Sequence, residues 1–471
     1  MSGLFGSLNL SVKALTAQSR ALETTGKNLA NVNNTSYARQ RVIFGDRGTV
    51  VTPDGAESLG IEALSIAQLR DSLLDRQVMR EVSLTSSLEA EQSGYQRAQA
   101  GLGQNISSTT SAGTVSTTVD DGLAAAVDDF FNAFGSLAAS PTDVGERQTL
   151  LQKAGILSDR FQLADQRLVQ VQTDLGAQVS TDVDDVNRLL STVADLNGQI
   201  GRIEINAPGS AVDLRDQRQA RLEELAAKLP VTVTDTSDGQ TQISVRDGTG
   251  AMVSLVDRTA VCGTVAFTGT QITAGMPATA LALGAGSIDG SLKARDGAIQ
   301  DLRNGLDALA SQLVTSVNAA YNPTAATGNF FAAGGTTAGT LQLAAGGTPA
   351  SLKASDGGPA GDNTVAVAIS RLATRTFSTA AGDAIDGTIG GCYSQTVSQL
   401  GQALATANSS TTDQSNIERL VRGQRDAVSG VSLDEEMADL TKYQRAFQAA
   451  SRVFSVIDSL LDNVVNSLGR G

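Results

Sequence analysis

The chain has 471 residues, a formal net charge of −14, and neither histidine nor tryptophan. Its length is enough for about three domains, and its acidity argues against nucleic acid or an anionic membrane as a main partner. Without His, the commonest general acid/base and the commonest metal ligand are both missing, which counts against an enzyme.

Residues 1–25 lack a basic start followed by an apolar core, so no ordinary secretory signal is expected and the chain on its own reads as cytosolic. No apolar run reaches the length of a membrane span. In the first segment Leu8, Leu15, Leu22 and Leu29 recur at intervals of seven, with Leu4 and Val32 flanking them. The intervening positions, Ser11, Gln18 and Thr25, are polar. This narrow stripe predicts an amphipathic helix that would be marginal alone. The pattern stops at "LANVNNTSYARQ", which holds Asn31, Asn33 and Asn34, then Tyr37 and Arg39.

Heptad spacing resumes through Leu74, Leu88, Tyr95 and Leu102, and again through Val179, Val186, Val193 and Ile200. Asp182, Asp184 and Asp185 lie in the latter stretch without an Asp-x-Asp-x-Asp-Gly loop around them, and are expected to form a solvated face. "AVDLRDQRQARLEELAAKL" predicts another amphipathic helix, ended by Pro230. From residue 231 the period changes to two, and "VTVTDTSDGQTQISV" alternates on both sides of an Asp-Gly turn, a β-hairpin signal. Short strands are expected to continue to about Gly290. "GAGSIDG" (284–290) has the spacing GxGxxxG and no binding-site Lys in the helix after it, so it reads as a turn rather than a phosphate cradle. A helix is expected over 291–322, with Leu292, Ile299, Leu306 and Leu313 on one face. Residues 323–390 are rich in Ala, Gly and Thr and read as loop and short strand. A further helix is expected over 394–408, broken by "SSTTDQSN". Cys262 and Cys392 match no CxxC spacing and are expected to have no chemical role.

The last segment carries the clearest pattern. Leu433, Leu440, Phe447, Phe454 and Leu461 occupy one heptad position, and Tyr443, Ala450, Ile457 and Val464 the position three later. Ser432 precedes Asp434, Glu435 and Glu436, an N-cap before a carboxylate-rich first turn, and Gly469 is the expected stop. Residues 4–32 carry Lys13, Arg20 and Lys27 against Glu23, while residues 431–468 carry six acids against Lys442, Arg445 and Arg452. Opposite charge and uncovered stripes predict that the two ends of the chain pack on each other.

These residues resemble the axial proteins of the bacterial flagellum, and within that family its hook-associated members. "GLFGSLNLSVKALTAQSRALETTGKNLANVNNTSYARQ" is similar to the family's N-terminal signature, and "VSGVSLDEEMADLTKYQRAFQAASRVFSVIDSLLD" to its C-terminal one. "DLRDQRQARLEELA" and the helix ending "NAAYN", followed by "GNFF", add internal matches. Ser36 stands where the family usually has Gly. The chain is also short for the group, as if an outer domain between about 323 and 395 were reduced.

The resemblance implies a structural protein without enzymatic activity, cofactor or metal, which leaves the cell unfolded through the flagellar export channel and joins hook to filament outside it. The implied fold is mainly α with an inserted β domain, a long helical bundle with paired N- and C-terminal coiled-coil helices and nested, discontinuous domains. Residues 1–40 and 431–471 would form the terminal assembly domain, 41–230 and 291–430 a helical middle domain with short strands near 41–70 and 323–390, and 231–290 an outer β domain. The implied partners are copies of the chain itself in a ring or tube, the hook protein on one side, the next junction protein on the other, and an export chaperone before secretion, with no nucleic acid or membrane. The expected assembly seam is Leu8, Leu15, Leu22, Leu29, Leu433, Leu440, Tyr443, Phe447, Phe454, Ile457, Leu461 and Val464. Asn31, Asn33, Asn34, Tyr37 and Arg39 would form a joint, because Asn tolerates left-handed backbone and competes for backbone hydrogen bonds. Tyr37 would anchor it by its ring, and Arg39 and Arg41 would reach acids on neighbouring subunits. The plainer alternative for these residues is an ordinary helix C-cap. A hook or rod subunit, or a stalk-borne surface enzyme or adhesin, are the competing readings of the whole chain.

Overall fold

The structure is a computed structural model, and it describes residues 2–46, 48–52, 55–58, 60–102, 122–324, 328–359 and 361–468. The expected stop at Gly469 lies outside the described residues. Helix α1 (Ser2–Ala30) leads into β1 (Gln40–Asp46), β2 (Thr49–Thr52), β3 (Gly55–Ser58) and β4 (Ile61–Gln68). β1 pairs antiparallel with β4, and β2 with β3. Helices α2 (Ser72–Leu102), α3 (Leu123–Ala139), α4 (Val144–Glu204) and α5 (Val212–Lys228) follow.

The switch to period two at residue 231 produces two small antiparallel sheets. One has β5 (Thr232–Asp235), β6 (Thr241–Arg246), β7 (Met252–Asp257) and β8 (Ala260–Val261) side by side in chain order. The other is β9 (Ala266–Phe267), β10 (Ile272–Ala274) and β11 (Thr279–Ala280). The chain then returns to helix through α6 (Ser287–Asp296), α7 (Ala298–Tyr321), α8 (Thr364–Ser370), α9 (Ile389–Ser429) and α10 (Leu433–Leu468). No helix among the described residues is long and apolar enough to cross a membrane.

Three local expectations are corrected. The helix foreseen from residue 291 begins at Ser287 and breaks at Gly297, whose φ of −94° and ψ of −115° leave the helical region. "SSTTDQSN" does not interrupt α9. Thr412 turns its hydroxyl back onto Asn408 O at 2.9 Å, and Gln414 Nε2 donates to Glu81 Oε2 at 2.8 Å, so helix-neutral residues are held by their contacts. Asp182 is buried rather than solvated, accepting a hydrogen bond from Ser287 Oγ at 2.8 Å, while Asp185 pairs with Lys228 at 3.0 Å. Among the described residues between Asn322 and Ile389 the extended segments amount to the isolated bridges Phe331–Leu343 and Phe377–Gly387.

Two compact units result. The first comprises Met1–Thr85, Val183–Gly286 and Gln414–Gly471, the second Ser86–Asp182 and Ser287–Asp413. The second unit is built on an aromatic core. Phe130 lies edge-on to Phe134 with ring centroids 5.2 Å apart, and Phe330 and Phe331 close over them. Leu137, Leu150, Leu157 and Leu313 complete its surroundings. Within this unit α6 lies so close to α2 that a Cβ at Gly290 would sit 1.9 Å from Ser87 O.

In the first unit, two asparagines of α4 hold the sheets. Asn197, fully buried, donates to Thr241 O and Arg258 O and accepts from Thr241 N. Asn187 exchanges two hydrogen bonds with the backbone of Val265, at 2.8 and 2.9 Å. The "GAGSIDG" turn closes the β region, with Gly286 at a φ of 86° that favours glycine and its N–H donating to Ser83 O at 2.8 Å.

Candidate assembly site

The terminal helices meet within the first unit. The last turn of α1 touches the first turn of α10, and the two helices pack along each other, antiparallel, over the β1–β4 hairpin. The most buried face of α1 is not its leucine stripe. Ala17 and Ala21 pack against Val42 and Ala63, with Phe44, Ile66 and Tyr443 around them, and Ser11, Thr24, Thr25 and Asn28 continue that face. Small side chains let the helix backbone approach hairpin and partner helix closely, so the bulkier Leu8, Leu15, Leu22 and Leu29 flank the contact and stay half-buried. On α10, Leu440, Tyr443, Phe454, Ile457 and Leu461 are half-buried, while Leu433, Phe447 and Val464 are exposed. The predicted seam therefore divides between an inner and an outer face. The outer face of α10 also shows Met437, Val453, Val456, Leu460 and Val465, with Val456 58 % exposed. Val453, Val456 and Leu460 follow a three-then-four spacing that places them on one helix face.

Of the two properties expected of the joint asparagines, competition for backbone hydrogen bonds is present and left-handed backbone is not. Among the described residues Arg258 is the one non-glycine residue with positive φ, so no asparagine here is left-handed. Instead Asn31 Nδ2 returns to Lys27 O at 2.9 Å, and Asn34 Oδ1 accepts from Ser36 N at 3.2 Å, an Asx-type turn. Ser36 fits because its position does not require positive φ. Asn33 is exposed.

The residue at the centre of the joint is Asn28, 2 % exposed. Its Nδ2 donates to Gln40 O at 2.8 Å and Glu436 Oε2 at 3.0 Å. Its Oδ1 accepts from Tyr37 Oη at 2.8 Å and Gln40 N at 3.0 Å. Both donors and both lone pairs of one amide are thus used. Tyr37 anchors by its hydroxyl, and burial, followed by the negative charge of Asp216, Asp213 and Glu436, raises its pKa well above the ordinary phenol value.

Arg39 finds acids within its own chain. Its Nε donates to Glu436 Oε1 at 2.7 Å, Nη1 bonds Glu435, and Asp439 lies 3.7 Å from Nη2. Burial works against the Arg39 charge, and Glu436 and Glu435 outweigh it. A polar crevice of about 260 Å³ remains among α1, β1 and α10, lined by Asn28, Arg39, Arg41, Glu436 and Lys442.

Beneath this lies a second layer that sequence reasoning missed. Asp216 of α5 accepts from Ala38 N at 3.2 Å and Arg70 Nη2 at 2.6 Å, and Arg70 also reaches Asp75 at 2.9 Å. Gln40 Nε2 donates to Asp213 at 2.9 Å. Arg425 bridges Glu223 at 2.7 Å to Thr35 O at 2.9 Å. Burial raises the Asp216 carboxyl to about 6, with Arg70 opposing. The visible signal was the alternation of acids and arginines in "DLRDQRQ", too dense for a merely solvated helix. Among the described residues no group of three or more His, Cys, Asp or Glu side chains is placed to hold a metal ion. The arrangement offers rigid attachment and an uncovered apolar stripe.

Residues 109–330 match the family model described as the flagellar hook-associated protein FlgK helical domain, and residues 424–468 that of the flagellar basal body rod FlgEFG protein C-terminal region. The chain is 26 % identical to flagellar hook-associated protein 1 of Bacillus subtilis (strain 168), covering 100 % of both. It is 23 % identical to flagellar hook-associated protein 1 of Escherichia coli (strain K12), over 98 % of this chain and 99 % of that one. A solved structure, the flagellar hook junction protein FlgK from Burkholderia pseudomallei, overlaps 55 % of this chain and 47 % of its own at 21 % identity and a TM-score of 0.46.

Proposed function

Because the chain belongs to the hook-associated protein 1 family of flagellar axial proteins, we propose that it is a non-enzymatic building block of the flagellum that polymerises through its terminal helices between hook and filament. Residues 1–40 and 431–471 act as the assembly domain, 41–230 and 291–430 as the helical middle, and 231–290 as the outer β part. Its partners are further copies in a ring or tube, the hook protein on one side and the next junction protein on the other, with a chaperone before export.

The observation that carries this reading is the apolar stripe of Val453, Val456 and Leu460 on α10, left uncovered by the chain's own packing. Burying one such side chain stabilises by about 1.5–3 kcal/mol, so a row of them suffices to drive association when neighbouring copies cover it. The contacts of Arg39 and Asn28 with Glu436 hold the root of α10 in place, so the stripe is presented in a defined direction. Substituting Val456→Asp with Leu460→Asp should leave a folded monomer that no longer polymerises or supports filaments on hooks. Normal assembly of the double variant would overturn the reading.

A hook or rod subunit is the second reading, favoured by the match of 424–468 to the rod proteins' C-terminal region. Labelled antibody separates the two: one short zone at the outer end of the hook supports the junction, staining along the hook or inside the envelope supports the alternative.

A further inference from the structure

A cavity of about 380 Å³ in the first unit opens between β4, the start of α2, α5 and the β5–β6 hairpin. Four arginines line it: Arg70, Arg76, Arg215 and Arg218. In a chain of net charge −14 this concentration of cations runs against the general trend. Two of the four are neutralised. Arg70 holds Asp75 and Asp216, and Arg215 holds Glu204 by a pair of bonds at 2.6 and 2.7 Å.

Arg218 is different. It is 6 % exposed, and its Nη1 donates to two neutral acceptors, Asn197 Oδ1 and Gly239 O, each at 2.9 Å. Among the described residues it has no carboxylate within ion-pair distance, and its Nε and Nη2 donate to no protein group. Burial, and then the charge of Arg215, push its pKa down to about 10, with Asp235 and Glu204 only partly offsetting them. Arg76 is exposed on the rim and likewise lacks an acidic partner among the described residues. A buried guanidinium to which no carboxylate is bonded is costly unless another group supplies the pairing, even with Asp235 on the wall of the same cavity.

We propose that this cavity is an oxyanion site, in which Nε and Nη2 of Arg218 donate side by side to a carboxylate or tetrahedral oxyanion while Arg76 covers its outer side. That fork is the geometry in which arginine binds planar and tetrahedral oxyanions most strongly. The oxyanion arrives either as a free small ion or as an acidic side chain of a second copy of this strongly acidic chain. The site is independent of the helix-mediated assembly argued above.

The test uses the full-length monomer and inorganic sulfate, titrated against chloride at constant ionic strength and read by calorimetry and melting temperature. Saturable binding is expected. Arg76→Gln should weaken it about threefold without changing the melting temperature of the sulfate-free protein, as an exposed charge would. Arg218→Met should weaken it about tenfold or more, the loss of a charge-assisted bond. Sulfate also stabilises proteins generally, without saturating. A sulfate response that does not saturate, or that is the same in wild type and both variants, overturns the proposal. Should Arg218→Met fail to fold, Arg76→Gln decides alone. Repeating the titration on polymerised protein identifies the source: binding retained means a free ion, binding lost on assembly means the neighbour's acidic side chain.

Discussion

Asn28 and Glu436 stand 408 positions apart in the chain and are joined by one hydrogen bond of 3.0 Å, both side chains almost wholly buried. The bond ties the last turn of α1 to the first turn of α10, and Arg39 completes it by holding the other oxygen of Glu436. Among the described residues α10 is more exposed throughout beyond Glu436, and on α1 only the small Ala17 and Ala21 are as deeply buried, so the joint is where polar contacts secure the terminal pair.

Replacing Asn28 by Ala removes four hydrogen bonds and leaves buried groups of Gln40 and Glu436 without partners. A loss of about 2–4 kcal/mol in the unfolding of the first unit is expected from urea denaturation. A loss below about 0.5 kcal/mol would mean that the joint is not a point of stability.

The same geometry predicts graded hydrogen exchange in the monomer. Amides of residues 28–46 and 429–443 should exchange slowly, and those of α1 before Ser11 and α10 beyond Leu461 rapidly, because few contacts hold the far ends. Uniform protection to both tips would show that the pair is stable along its whole length without assembly.

Asp216 provides a pH test. Its folded carboxyl lies near 6 against an ordinary 3.8, raised by burial despite Arg70, so the folded state binds this proton more tightly than the unfolded chain. Its contribution is fully present below the unfolded value and is lost as pH rises through about 6. Asp216→Asn abolishes the titration. The stability of the variant relative to wild type should therefore rise by about 1–3 kcal/mol between about pH 4 and pH 7. A difference independent of pH would show that the carboxyl is not perturbed.

Phe454 and Val456 separate the two faces of α10. Phe454→Asp sets a charge in the half-buried face toward α1 and should destabilise the first unit as well as block assembly. Val456→Asp, on the exposed face, should block assembly while shifting monomer stability by less than about 0.5 kcal/mol. Equal effects on monomer stability would remove the distinction.

Gly290 tests the second unit. An added Cβ would meet Ser87 O at 1.9 Å, backbone that cannot rotate away. Gly290→Ala should cost about 1–3 kcal/mol, or more if α6 must separate from α2. Retention of wild-type stability would mean that the two helices move apart freely.

Periodicity made the long helices, the β-hairpin at residue 231 and the pairing of the two ends legible, because each follows from which positions must avoid water at a period of seven or two. Family resemblance was legible at the termini, where the motifs are dense. The burying face of α1 was not legible. Heptad leucines outweigh alanines on any hydrophobic scale, yet Ala17 and Ala21 are buried because a hairpin from residues 40–68 takes up that side. Nor could the chain order reveal that Arg39 would meet Glu435 and Glu436 of its own last helix, or that Asn28 would satisfy four partners at once. Hydrogen bonding is short-ranged and directional, so its partners are chosen only when distant segments are brought within about 3 Å. Hydrophobic burial is non-directional and periodic, and one strand of sequence records it. The helices were therefore written locally, and the joint that aims them was settled by the meeting of α1, β1, α5 and α10 in space.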